Sequence, residues 1–103
     1  MSYRDYLTSK HDFSRVGGVS FRNGDDGRYY FTAGAWSVDG PGDTHLVGYV
    51  EVDARSVVNG EPVQNRETQN ALQQLLDQLW NDGWDTLPVP PGSRWYYRRF
   101  SRR

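Results

Sequence analysis

The residue types with the most chemical potential lie near the C-terminus. Residues 94–103 interleave arginine with aromatic rings, Arg94-Trp95-Tyr96-Tyr97-Arg98-Arg99-Phe100, and end on Arg102 and Arg103. Flat rings stack on bases or on apolar side chains, and guanidinium groups neutralise phosphate while stacking themselves. Read as a strand from Ser93 to Ser101, the segment sets Trp95, Tyr97, Arg99 and Ser101 on one face. Arg94, Tyr96, Arg98 and Phe100 then take the other, because side chains alternate along a strand. Arg94, Tyr96, Arg98, Arg99 and Arg102 are thus candidate contacts to nucleic acid, by the logic of sheets that display aromatic and basic groups. The competing reading makes one face core and the arginines edge-protecting charges, or partners of acids elsewhere in the chain.

Net charge bears on that choice. The formal charge is -1, from 12 Lys and Arg against 13 Asp and Glu. Five of the arginines and none of the acids fall in residues 94–103, leaving seven basic against thirteen acidic groups in residues 1–93. An acidic body with a basic tail lacks the overall positive charge usual in nucleic-acid binders. It also offers the basic segment a partner inside its own chain or in a second copy.

Other chemistry is sparse. His11 follows Lys10 and precedes Asp12, and His45 follows Asp43 and Thr44. Either histidine with an Asp makes a weak candidate for acid–base catalysis, since one imidazole suffices for that work. No HxH, HxxxH or HExxH spacing is present, so no metal site is expected. Asp25, Asp26, Asp39 and Asp43 lie among glycines, where turn formation explains them better than a calcium loop. No phosphate loop and no nucleophile elbow occur. No cofactor and no catalytic residue are assigned on this reading.

The elements that must position these residues are those of a small domain. The 103 residues suit one folding unit, with no run approaching a membrane span. The polar start, Met1-Ser2-Tyr3-Arg4-Asp5-Tyr6, has no secretory apolar region. Cysteine is absent, which removes disulfides and makes a cytosolic protein the expected setting. Isoleucine is absent too, so four Trp and seven Tyr must supply much of the buried area. Some of the aromatic content is therefore core, and only the remainder is free to bind.

Val16 to Arg22 reads as a strand, Asn23-Gly24-Asp25-Asp26-Gly27 as a turn, and Arg28 to Trp36 as the partner strand. His45 to Ala54 alternates, with Val50, Val52 and Ala54 on one face and Tyr49, Glu51 and Asp53 on the other. From Asn65 to Asn81 the period changes. Leu72, Leu75, Leu76, Leu79 and Trp80 share one helical face, with Asn65 as N-cap and Gly83 after the C-terminus. Trp84 to Val89 is a short strand that Pro88 confines to an edge. Ser2 could cap a short turn near Leu7.

The C-terminal half resembles the small bacterial DUF4177-type domains. The resemblance rests on a Leu-rich helix running into Gly83-Trp84-Asp85 and a last strand closing in Tyr96-Tyr97-Arg98-Arg99-Phe100, over roughly residues 66–100. Thr86 departs from the family pattern by intervening before Leu87. The resemblance implies a small antiparallel sheet with one helix, and no particular activity. Gly83 and Trp84 also make sense as a sharp helix exit with a ring folded back beside Leu79 and Trp80.

These observations predict an α+β fold of order β-β-β-α-β-β: a four- to five-stranded, mostly antiparallel sheet with one main helix on one face. Leu72, Leu75, Leu76, Leu79, Trp84, Val50, Val52 and Phe31 are the expected core. The other sheet face is expected to display Tyr30, Trp36, Tyr49 and Tyr97. A non-catalytic binding or adaptor protein acting through that aromatic and Arg-rich face is the leading functional expectation. Its expected partner is a protein or a second copy of the chain. Nucleic acid is the alternative, and a membrane is not expected.

Overall fold

The computed structural model describes residues 16–37 and 40–102. The fold is α+β. Strands β1 (Val16–Asn23), β2 (Tyr29–Ser37) and β3 (Gly40–Val52) form an antiparallel meander. A 3-10 turn (Ala54–Ser56) leads to a small hairpin of β4 (Val57–Val58) and β5 (Glu61–Pro62). Helix α1 (Arg66–Asn81) follows, then β6 (Trp84–Leu87) and β7 (Arg99–Arg102). The main sheet has the order β3-β2-β1-β7-β6, with every neighbouring pair antiparallel. The expected order is present, with the β4–β5 hairpin added between the third strand and the helix.

Alternation on the meander decides which face the helix covers. Val19 on β1, Phe31, Ala33 and Ala35 on β2, and Val50 and Val52 on β3 point to one side and are buried. Leu72, Leu75 and Leu79 of α1 close over them, with Trp84 and Phe100 completing the core. Leu76 is only partly buried. Trp80 is 53% exposed, because the fifth position of the helical stripe turns away from the sheet. Ala54 departs from the alternation of β3: the strand stops at Val52, and Asp53 accepts from the Arg55 backbone N–H to start the 3-10 turn.

The helix ends are closed by side chains, as their orphan backbone groups require. The Asn65 side chain accepts from the Thr68 N–H at 2.9 Å, and Thr68 Oγ1 accepts in return from the Asn65 N–H at 3.0 Å. Thr68 is 1% exposed, and its hydroxyl is satisfied by Val63 O and Asn65 O. At the other end Gly83 adopts φ 94°, a left-handed conformation that lets the chain reverse directly into β6. Arg102 Nη1 donates to Asp82 O at 2.7 Å, so a cation sits at the negative end of the helix.

The C-terminal segment departs most from expectation. The strand covers only Arg99–Arg102, and residues 93–98 form turns. It is also internal, held between β1 and the edge strand β6. Local bonds close the turn: Ser93 Oγ donates to Pro90 O at 2.6 Å, and the Tyr97 N–H donates to Arg94 O at 3.0 Å. Regular alternation resumes only where β7 pairs with β1 at Arg99 opposite Gly18.

Candidate binding face of the sheet

The sheet face away from α1 is built from small residues at its centre and large ones around it. Register places Gly18 opposite Gly34, Ser20 opposite Thr32, Arg22 opposite Tyr30, and Val16 opposite Trp36, and each opposed pair shares a face. The pairing continues outward. Gly34 faces Leu46 and Thr32 faces Tyr49 on β3, and Gly18 faces Arg99 on β7. One row across the sheet is therefore Leu46, Gly34, Gly18, Arg99 and Leu87. Two adjacent glycines in such a row leave a trough.

A bulge helps keep Leu46 at its wall. The β2–β3 register shifts between Ala33 and Gly34, so Ala33 faces Gly48 while Gly34 faces Leu46. The extra residue, Val47, is partly buried against the core. A Cβ at Gly48 would meet Leu75 of the helix, which places that position on the core side. Leu46 remains on the opposite face and is 61% exposed.

Aromatic rings close over the glycine floor. A Cβ at Gly18 would lie 3.3 Å from Tyr97 Cε1 and 3.4 Å from both Tyr97 Oη and Trp36 Cη2. Trp36 comes from β2 and Tyr97 from the turn before β7, so residues 61 positions apart meet over one backbone site. The resulting cavity is about 360 Å³ and is floored by Gly18 and Gly34. Ser20 and Thr32 give it hydroxyls, and Arg22 gives it a charge at one end. A second cavity of about 320 Å³ lies on the far side of Tyr97, between β1 and the 93–97 turn. Tyr97 thus separates two clefts.

Tyr30 and Tyr49 form a neighbouring aromatic pair, edge to face with centroids 5.8 Å apart. The Tyr30 hydroxyl donates to Asp26 Oδ2 at 2.6 Å. That bond pulls the Asp26 carboxyl below its ordinary range and pushes the Tyr30 phenol above its own. Asp26 also accepts from the Arg28 N–H, so its role is in the turn, as expected. Tyr49 is 57% exposed beside Leu46, and with Tyr30 and Thr32 they line a shallow apolar hollow of about 270 Å³.

The expected site residues therefore divide. Trp36, Tyr49, Tyr97 and Arg99 occupy the open face together, as does Tyr30. Arg94, Tyr96, Arg98 and Arg102 are engaged elsewhere. Tyr96 is 6% exposed, packs on Phe31, and donates to Glu61 Oε2 at 3.3 Å. Burial, with the nearby Glu61 charge, raises its phenol above the usual range. Arg94 Nε lies 3.6 Å from Glu61 Oε1. Arg98 Nη1 donates to Trp95 O and Tyr97 O, and the residue lines a cleft of about 190 Å³ together with Leu72 and Leu76 of the helix. Arg102 stacks its guanidinium 4.2 Å from the Trp84 ring centre while capping α1. The physical reason is the turn at 93–98. Trp95 donates to Pro62 O at 3.1 Å and Tyr96 reaches Glu61, which anchors one side of the turn to the β4–β5 hairpin. Tyr97 is left beside the glycines of the open face.

His45 is exposed, opposite Ala35 on the edge strand. His11, Arg103, Asp39 and the N-terminal turn at Ser2 to Leu7 lie outside the described residues, as does the side chain of Asp43. Among the described residues no group of three or more His, Asp or Glu is gathered as for a metal ion. Sequence reasoning missed Arg22, Leu46 and the two floor glycines. Their signal was present in part. Gly18, Ser20 and Arg22 are alternate residues of one strand, and Thr32 and Gly34 are alternate residues of the next.

No family model, curated protein or solved structure matches the chain. The resemblance to DUF4177-type domains rests on the helix, the Gly83-Trp84-Asp85 junction and the last strand alone.

Proposed function

We propose that this chain is a small non-catalytic binding module that takes its ligand or partner in the trough on the open face of the sheet. The observation that carries this reading is the convergence of Trp36 and Tyr97 over the Gly18–Gly34 floor. Glycine in a strand sacrifices side-chain packing and costs about 0.5–1 kcal/mol relative to Ala. Two of them side by side let the Trp36 and Tyr97 rings approach the sheet closely and line a cleft with it. The volume falls in the range of ligand clefts, and the lining mixes flat apolar surface with a few polar groups. The groups it presents are a guanidinium, hydroxyls and rings, which recognise rather than transform. In this reading the protein works in the cytosol, since a chain without cysteine draws nothing from an oxidising compartment. Among the described residues no helix is long and apolar enough to cross a membrane.

The test is a fragment titration of 15N-labelled protein followed by amide NMR. Aromatic and aliphatic fragments are expected to shift the Gly18 and Gly34 amides and the Trp36 indole. Hits that map only to other surfaces, or no hits at all, would refute the reading. A second reading, self-association, is favoured by Leu46 and Tyr49 standing 61% and 57% exposed beside the trough. Light scattering should then give a mass near twice 11.9 kDa, and Leu46→Arg should return it to the monomer value. A clean monomer at high concentration removes this second reading.

A further inference from the structure

We infer that the occupant of the open face is a single strand of nucleic acid, with a base lying against Trp36 and Tyr97 and phosphates held by Arg22 and Arg99. The inference rests on the binding-module reading and adds the chemistry of the ligand. Three observations carry it together.

The first is the repeat of stacking platforms along one face. Trp36 and Tyr97 flank the trough, and Tyr49, with its ring exposed against Tyr30, lies one row away across Thr32. A lone ring-shaped ligand would need one such position, whereas successive bases of a strand need several. The second is what the floor offers. Ser20 and Thr32 hydroxyls line the trough within reach of base edges, and hydroxyls both donate and accept.

The third is the pair of arginines placed beside the trough. Arg22 lines the trough, and Arg99 lies next to Gly18 in the same row. Of the described acids at that face, Asp26 is bonded to the Tyr30 hydroxyl, Glu51 lies 3.4 Å from Arg28, and Asp85 sits on the edge strand opposite Ser101. Glu67, Asp77 and Asp82 belong to the helix or its end, beyond the sheet. Two of the acids at the face, Asp26 and Glu51, thus already have partners there, and three more lie beyond the sheet. Of the four tail arginines among the described residues, only Arg99 lies at this face, so the phosphate contacts are few and the stacking contribution is large.

The experiment is fluorescence anisotropy with labelled oligouridylate and oligothymidylate of about 15 nucleotides, enough to cover one small sheet face. Two phosphate contacts predict a salt slope near -1.4, or about a 25-fold weakening between about 20 and about 200 mM salt. Arg22→Ala and Arg99→Ala should each lower that slope by about half. Trp36→Ala should weaken binding by about five-fold or more through lost stacking. Arg66→Ala, on the exposed helix surface, should leave affinity unchanged. Failure of both oligonucleotides to bind at low salt overturns the inference, while fragment shifts at Gly18 and Gly34 would still support the module reading. Equal affinity for uridine monophosphate and the oligonucleotides overturns the choice of a strand. Binding that survives both arginine substitutions with its slope intact overturns the assigned phosphate contacts.

Discussion

Gly17 and Gly18 are neighbours in sequence that face opposite sides of the sheet, and replacing each by alanine separates packing from binding. At Gly17 a new methyl would overlap the Gly34 carbonyl oxygen and ring carbons of Phe100. Phe100 is fully buried, and the carbonyl belongs to the β1–β2 ladder, so neither can retreat without disturbing the core or the register. Overpacking of this kind costs about 1–3 kcal/mol, and a backbone clash belongs at the upper end. The alanine regains about 0.5–1 kcal/mol of strand entropy, for a net loss near 2 kcal/mol. With a urea dependence of about 1.5 kcal/mol per M, the unfolding midpoint should fall by about 1.3 M. At Gly18 the methyl meets only the tips of Tyr97 and Trp36, at 3.3–3.4 Å. Those rings can shift by a few tenths of an ångström, which roughly offsets the entropy gain. The midpoint should move by less than about 0.3 M, the normal range for a surface change. Gly18→Ala should nonetheless shift the Trp36 indole resonance and weaken any ligand of the trough. Urea unfolding followed by tryptophan fluorescence provides the assay. If Gly17→Ala unfolds where the parent does, or if both variants lose stability equally, the assignment of these two faces is wrong.

Three further outcomes follow from the helix ends and the β3 terminus. Asn65→Ala removes the cap on Thr68 and the 3.3 Å contact to Ser56, and should cost about 1 kcal/mol, or about 4–8 °C in Tm by calorimetry. Arg102→Ala removes both the helix C-terminal bond and the stack on Trp84, and should cost about 1–2 kcal/mol in urea unfolding without changing oligonucleotide affinity. Asp53 is held at a pKa of about 2, chiefly by hydrogen bonds from the Arg55 guanidinium and backbone N–H. Its unfolded value is about 3.9, so its contribution is present above that pH and lost as pH falls toward 2. Unfolding midpoints measured from neutral pH downward should show that loss, and Asp53→Asn should flatten this part of the profile.

The charge of the chain acquires a different meaning in three dimensions. Counted along the sequence, the basic groups collect in a tail and the acids in a body. Folded, Arg94 pairs with Glu61, Arg98 binds its own turn, and Arg102 caps a helix. Among the described residues, the open face keeps Arg99 from the tail and Arg22 from the first strand, beside the Arg28–Glu51 pair.

Local patterning was enough to specify the helix, its Asn65 cap, its Gly83 exit and the β1–β2 hairpin, because each depends on residues a few positions apart. The alternation of Phe31, Val50 and Val52 likewise specified which side of the meander is core, and by elimination put Tyr30, Trp36 and Tyr49 on the other. The tail was not legible in this way. An aromatic and basic run alternates equally well as a strand or as a turn, and the bonds that decided for a turn come from Glu61 and Pro62, more than thirty residues away. The trough belongs to the same class. Gly18, Gly34, Leu46 and Arg99 lie on four strands, and only pairing across the sheet puts two glycines side by side with Trp36 and Tyr97 above them. Sequence determined which residues alternate; tertiary pairing decided which of them meet, because register between strands is set by packing and by bonds that no local spacing contains.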